Sequence, residues 1–135
     1  MKRFRPFQYV VLFGLAVTSA VAAQAVETGQ LDGIVDEQMN YLQFRTAILG
    51  ATWTPLVDPQ CDANVYGRPG GPKDDTNICR QLPELESCSG DGYCSMYFVH
   101  EPSGRKVQVV TYGDYARWEL PGGQSDLAVI EWSYQ

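Results

Sequence analysis

Four cysteines set the terms on which this chain can fold. Cys61, Cys79, Cys88 and Cys94 share one stretch, 58–92 and its border, with Gly67, Pro69, Gly70, Gly71, Pro72 and Pro83. A segment so rich in turn formers supports no long regular element and needs tethers to hold its place in a small domain. Whether cysteines act as tethers depends on the compartment. The chain opens with Lys2, Arg3 and Arg5, followed by a mostly apolar run from Phe7 to Val21. Ala20-Val21-Ala22 and Ala23-Gln24-Ala25 then offer two small-x-small sites. This is the pattern of a secretory leader over residues 1–25, removed after Ala22 or Ala25. Its apolar run of about 15 residues falls short of the roughly 20 that a spanning helix needs. No cysteine stands at either cleavage point, so a lipid-anchored product is not expected. The expected product is periplasmic or secreted, with no membrane span, and its thiols oxidise.

The cysteines allow three pairings. Cys61–Cys79 with Cys88–Cys94 is favoured, because each closes a glycine-containing loop and neither crosses the other. Zinc is disfavoured, since no C-x-x-C knuckle occurs. A redox dithiol is disfavoured for the same reason.

Cleavage after Ala25 leaves 110 of the 135 residues, enough for one domain with one core. It also removes three of the ten basic residues and none of the sixteen acidic ones, leaving a net charge of about −9. Such a surface repels nucleic acid and anionic lipid; it either attracts a basic protein or simply keeps the exported chain in solution, the plainer of the two readings.

The pattern downstream is α+β. Leu31, Ile34, Val35, Met39, Leu42, Thr46 and Leu49 recur at spacings of three and four, predicting one amphipathic helix over 31–49 that stops at Gly50, with Gly33 weakening its first turn and moving the alternative start to Asp36. Residues 52–57 alternate around Pro55 and predict an edge strand. Residues 58–92 are expected to be irregular. Tyr93 to His100 and Lys106 to Tyr112 flank Pro102-Ser103-Gly104 and predict an antiparallel hairpin. Cys94, Met96, Phe98 and His100 would face one way, and Ser95, Tyr97 and Val99 the other. Short strands are expected at 115–120 and 127–134, the latter burying Ile130 and Trp132 with Tyr134 at the rim. The expected architecture is an N-terminal helix packed on a sheet of three to four strands, with a long disulfide-stapled loop.

Catalytic motifs are scarce. His100 is the single histidine, and Glu101 beside it points to the opposite face of a strand, so the two form no dyad. Neither G-x-S-x-G nor H-E-x-x-H occurs. The Asp74-Asp75-Thr76-Asn77 run lacks the spacing of an EF-hand, and no cofactor or metal site is expected. The candidate contact residues are aromatic or acidic groups on loops: Tyr66, Asp74, Asp75, Asp91, Tyr115 and Trp118.

Several short motifs recur together: Leu49-Gly50-x-x-Trp53-x-Pro55, Asn64-Val65-Tyr66-Gly67, Pro83-Glu84-Leu85, Cys88-Ser89-Gly90-Asp91-Gly92-Tyr93-Cys94 and Val110-Thr111-Tyr112-Gly113. In these the chain resembles a group of uncharacterised small exported proteins of Gram-negative bacteria. The resemblance implies a periplasmic α+β domain and carries no catalytic residue. In size, acidity and disulfide use the chain also resembles periplasmic inhibitor and immunity proteins. The expected function is a binding module that docks a basic protein. A glycan- or peptidoglycan-associated module using exposed aromatics is the alternative, and a hydrolase comes behind both.

Overall fold

The computed structural model describes residues 23–24, 28–36 and 38–135. All but two residues of the expected leader lie outside that range. The fold is α+β, built on an antiparallel sheet of five strands rather than three to four. They are β1 (Trp53–Pro55), β2 (Leu85–Cys88), β3 (Tyr93–His100), β4 (Arg105–Gly113) and β5 (Leu127–Tyr134). The main path runs β1-β3-β4-β5, and β2 also pairs with β3. β1 covers Phe98 to His100 of β3 and β2 covers Cys94 to Met96. The two short strands therefore lie end to end along one edge of β3, with Tyr97 at the join. Pro55 is tolerated in β1 because β3 is its only neighbour, so an edge loses no ladder bond.

The first long helix is shorter than its apolar spacing predicts. It is α1, Tyr41–Gly50. Asn40 caps it by accepting from Gln43 N–H while the Gln43 side chain accepts from Asn40 N–H, both at 3.0 Å. This capping box fixes the start ten residues beyond Leu31. Tyr41, Phe44 and Ile48 make its buried face. Upstream, Leu31 and Val35 are buried as expected of a helix face, but they belong to an irregular strap. Gly33 at φ 82° takes that strap out of the helical region. At the other end Gly50 closes the helix without a left-handed turn, and Thr52 holds the positive φ of 65° instead.

The strap docks on the far end of the sheet. The Leu31 N–H donates to the Tyr134 hydroxyl at 2.8 Å, and Arg105, stacked on the Tyr134 ring, reaches the Gly29 carbonyl at 3.5 Å. Gly29 has φ 65°, and a Cβ there would lie 2.6 Å from Nδ1 of the buried His100. Only glycine fits that close approach.

The stretch 58–92 is more ordered than its composition predicts. It holds α2 (Cys61–Tyr66), α3 (Ile78–Gln81) and β2. Cys61 is bonded to Cys79, joining the two short helices, and Cys88 to Cys94, joining β2 to β3. Asp62 organises the loop between α2 and α3. Its carboxylate accepts from the Asn77 amide at 2.7 Å and Gly71 N–H at 3.1 Å, and Lys73 approaches to 3.5 Å. The strand expected over 115–120 is instead a 3-10 turn, Tyr115–Arg117, whose N–H of Ala116 is capped by Asp114.

β5 corrects one further expectation. Its register against β4 shifts between Val110 and Thr111, so Glu131 pairs with Val110 and Val129 with Thr111. The extra residue is Ile130, which is turned out to solvent while Val129 is buried. Beyond the bulge the alternation resumes with changed parity, and Trp132 and Tyr134 point back to the core side. Trp132 packs near Phe44 and Tyr134 stacks on Trp53. A strict period of two carries no information about such a slip.

Candidate functional site

The two faces of the sheet differ in what lies over them. The inner face, from Cys94, Met96 and Phe98 through Val107, Val109 and Leu127, is covered by α1 and the strap and forms the core. The outer face carries the alternate residues. Tyr93 and Tyr112 are cross-strand partners there, with ring centroids 4.9 Å apart and nearly half of each residue open to solvent. On β5, two residues beyond the Ala128 that pairs with Tyr112, Ile130 is 51% exposed at the bulge. The paired tyrosines and the bulged isoleucine on the next strand are large apolar groups left open on neighbouring strands, which points to a patch rather than scattered single side chains.

A groove cuts this face at the join between β1 and β2. Two backbone bonds keep β3 engaged across it. The Leu56 N–H donates to the Tyr97 carbonyl and the Tyr97 N–H donates to the Glu84 carbonyl, each at 2.9 Å. Past Pro55 the chain leaves the sheet as Leu56 to Pro59. On the other side a bulge between Leu85 and Ser87 brings Glu86 beside Tyr97. Leu56, Val57, Asp58, Pro59, Glu86 and Tyr97 line an open hollow of about 370 Å³. Val57 is 66% exposed at its lip. Burial, and then the Glu86 carboxylate, push the Tyr97 phenol above its ordinary pKa. Glu86 and Asp58 have no ion-pair partner among the described residues.

The six residues picked from the sequence are not gathered into one site. The Tyr66 hydroxyl accepts from Ile78 N–H at 2.9 Å, and its ring fills the space beside Gly71. Asp74 is exposed and caps its own turn, and the Thr76 hydroxyl and N–H hold its carboxyl below the usual range. Asp75 is exposed, with its carbonyl accepting from the Gln81 amide at 2.7 Å. Asp91, at the opposite end, is bonded to the Ser89 hydroxyl. Tyr115 is half-buried against the core. Trp118 is buried, donating from Nε1 to Gln81 at 3.0 Å beneath the Arg45 guanidinium. Gln81 therefore links Asp75 to Trp118, which braces the stapled loop. His100 is buried with Nδ1 2.7 Å from the Ser103 hydroxyl, whereas Glu101 is exposed and accepts from Thr54.

No protein-family model, curated protein or solved structure matches the chain. Its function therefore has to be read from its own surface. Sequence reasoning missed Tyr93, Ile130 and Glu86. The strand alternation that sent Cys94 inward already sends Tyr93 outward, so part of the signal was available. No cluster that could hold a metal ion occurs among the described residues, and no helix among them is long and apolar enough to cross a membrane.

Proposed function

We propose that this is an exported binding module of inhibitor or immunity type, periplasmic or secreted, that docks a basic protein through the outer face of its sheet. The observation that carries this reading is the open aromatic and aliphatic patch of Tyr93, Tyr112 and Ile130 on an otherwise acidic domain. Aromatic anchors with low side-chain entropy are the usual centres of protein interfaces. Beyond Val26 there are sixteen acidic side chains against seven basic ones, and three of the seven are already held by Glu84, Asp62 and Asp126. The excess negative charge steers a cationic partner and disfavours an anionic one. Two disulfides suit an oxidising compartment. The glycan alternative calls for exposed Trp and Tyr; Tyr93 and Tyr112 are open, but Trp118 is buried and Trp132 is partly buried against the core.

The test is retention of a panel of cationic proteins, lysozymes and ribonucleases included, on the immobilised disulfide-intact protein. Wild type is compared with Tyr112→Ser and Ile130→Ser at low and high salt. At least one partner is expected to be held, to weaken with salt, and to weaken further in both variants at unchanged melting temperature. Retention that ignores both substitutions is mere charge attraction and removes the proposal.

A further inference from the structure

We infer that the groove at the join of β1 and β2 is the subsite for a single lysine or arginine side chain of the partner. The aliphatic stem would lie on Leu56, Val57, Pro59 and Tyr97, and the charged head against Glu86 and Asp58. This rests on the binding role proposed above and specifies one point of contact within it.

The lining dictates the occupant. Four of the six residues offer apolar or aromatic surface and two are carboxylates. A purely apolar side chain would strip water from Glu86 and Asp58 and leave them uncompensated, which is costly. A free anion would meet two negative charges. A long cationic side chain satisfies both halves at once, because its methylenes cover apolar surface while its head stays polar. The Tyr97 ring adds attraction for a cation over its face. Neither carboxylate is committed elsewhere as an ion pair among the described residues. Asp58 accepts from Gln60 N–H through Oδ1 at 2.7 Å, which fixes its orientation and leaves its second oxygen for a ligand. The space, about 370 Å³, is at the small end of ligand sites, roughly 300–1,000 Å³.

The experiment is a titration of the ¹⁵N-labelled, disulfide-intact protein followed by amide shifts. The probes are acetyl-Leu-Lys-Leu-amide and the same peptide with norleucine for lysine. Shifts are expected at Leu56, Val57, Glu86 and Tyr97 with the lysine peptide at millimolar concentration. Glu86→Gln is expected to weaken binding about fivefold and Asp58→Asn less, with both variants melting as wild type. Norleucine binding as tightly as lysine, shifts confined to other surfaces, or no shifts at all would each overturn the assignment. Glu86→Gln is also run in the retention assay. Loss of retention in Tyr112→Ser with full retention in Glu86→Gln sinks the groove and leaves the outer face standing. Full retention in both sinks the two together.

Discussion

Arg45 Nε lies 2.5 Å from Oε1 of Glu84, a carboxylate with no solvent exposure, and so ties α1 to the turn entering β2. The same oxygen accepts from the Tyr41 hydroxyl at 2.6 Å. Arg45 in turn lies over Trp118. A buried ion pair is weak evidence of net stability, but breaking one side of it leaves a charge stranded. Arg45→Met should therefore lower the unfolding free energy by about 3 kcal/mol. Arg45→Met with Glu84→Leu should recover part of that loss, the remainder reflecting the Tyr41 hydroxyl left without its acceptor. Urea denaturation of the three proteins checks the order. A double variant weaker than the single would mean that the pair is no burden on the core.

Tyr41 makes a pH dependence on the alkaline side. Burial first, and then the negative charge of Glu84, hold its phenol well above the ordinary 10.0. In the unfolded chain the proton leaves near 10.0, while the folded chain keeps it. Stability from this group is thus complete below pH 10 and declines above it, by up to about 1.4 kcal/mol per pH unit. Tyr41→Phe should start lower at neutral pH, having lost the bond to Glu84, and then fall less steeply above pH 10. Unfolding free energies measured from pH 8 to pH 11 decide it, and parallel curves would refute the assignment.

Acid acts at a different place. Asp62 is held below the usual carboxylate range, first by the Asn77 amide, then by Gly71 N–H, with Lys73 contributing less. Its folded pKa is depressed, so its contribution is present above the unfolded value of 3.8 and is lost as pH falls through the folded one. Asp62→Asn should melt below wild type at pH 6, and the two should converge toward pH 2. A constant gap across that range would mean that geometry, and not charge, is what Asp62 supplies.

How much of this was legible in the sequence differs from residue to residue. The β3–β4 hairpin was legible because alternation and turn chemistry agree over Tyr93 to Tyr112. The start of α1 was misread because apolar spacing alone runs smoothly from Leu31 to Leu49. The decisive signal was Asn40-x-x-Gln43, which outranks it. The outward turn of Ile130 was not legible, since a one-residue bulge leaves no mark on composition. The short elements inside 58–92 stayed hidden because their stability comes from Cys61–Cys79 and Asp62 rather than from local propensity. The groove was invisible for a related reason. It exists where β1 and β2 meet on β3, and the 29 residues from 56 to 84 separate them.

The two disulfides should not weigh equally. Cys61 and Cys79 are 18 apart in sequence and join two helices across irregular chain, whereas Cys88 and Cys94 are 6 apart on strands already paired in register. Chain entropy gives about 3 kcal/mol for the larger loop and about 2 for the smaller. Replacing Cys61 and Cys79 by serine should therefore depress the melting temperature more than replacing Cys88 and Cys94. The gap should exceed the entropic difference, because loss of the first link also frees Asn77 from Asp62. Calorimetry on the two double variants checks this, and the reverse order would show that the β2–β3 link holds more than its own turn.

The strap makes the last prediction, because it closes the core from outside any regular element. Leu31 has no exposure, yet its backbone is held to the sheet by Tyr134. Leu31→Ala should cost about 3 kcal/mol, as truncations of filled core sites do. Tyr134→Phe removes only the hydroxyl that accepts from Leu31 N–H and should cost about 1 kcal/mol. The informative readout is hydrogen exchange. In Tyr134→Phe the Leu31 amide should exchange faster while amides of α1, such as Ile48, keep their protection. Equal acceleration at both would mean that strap and helix open as one unit. Unequal acceleration identifies residues 29–35 as a separately opening clasp beside His100.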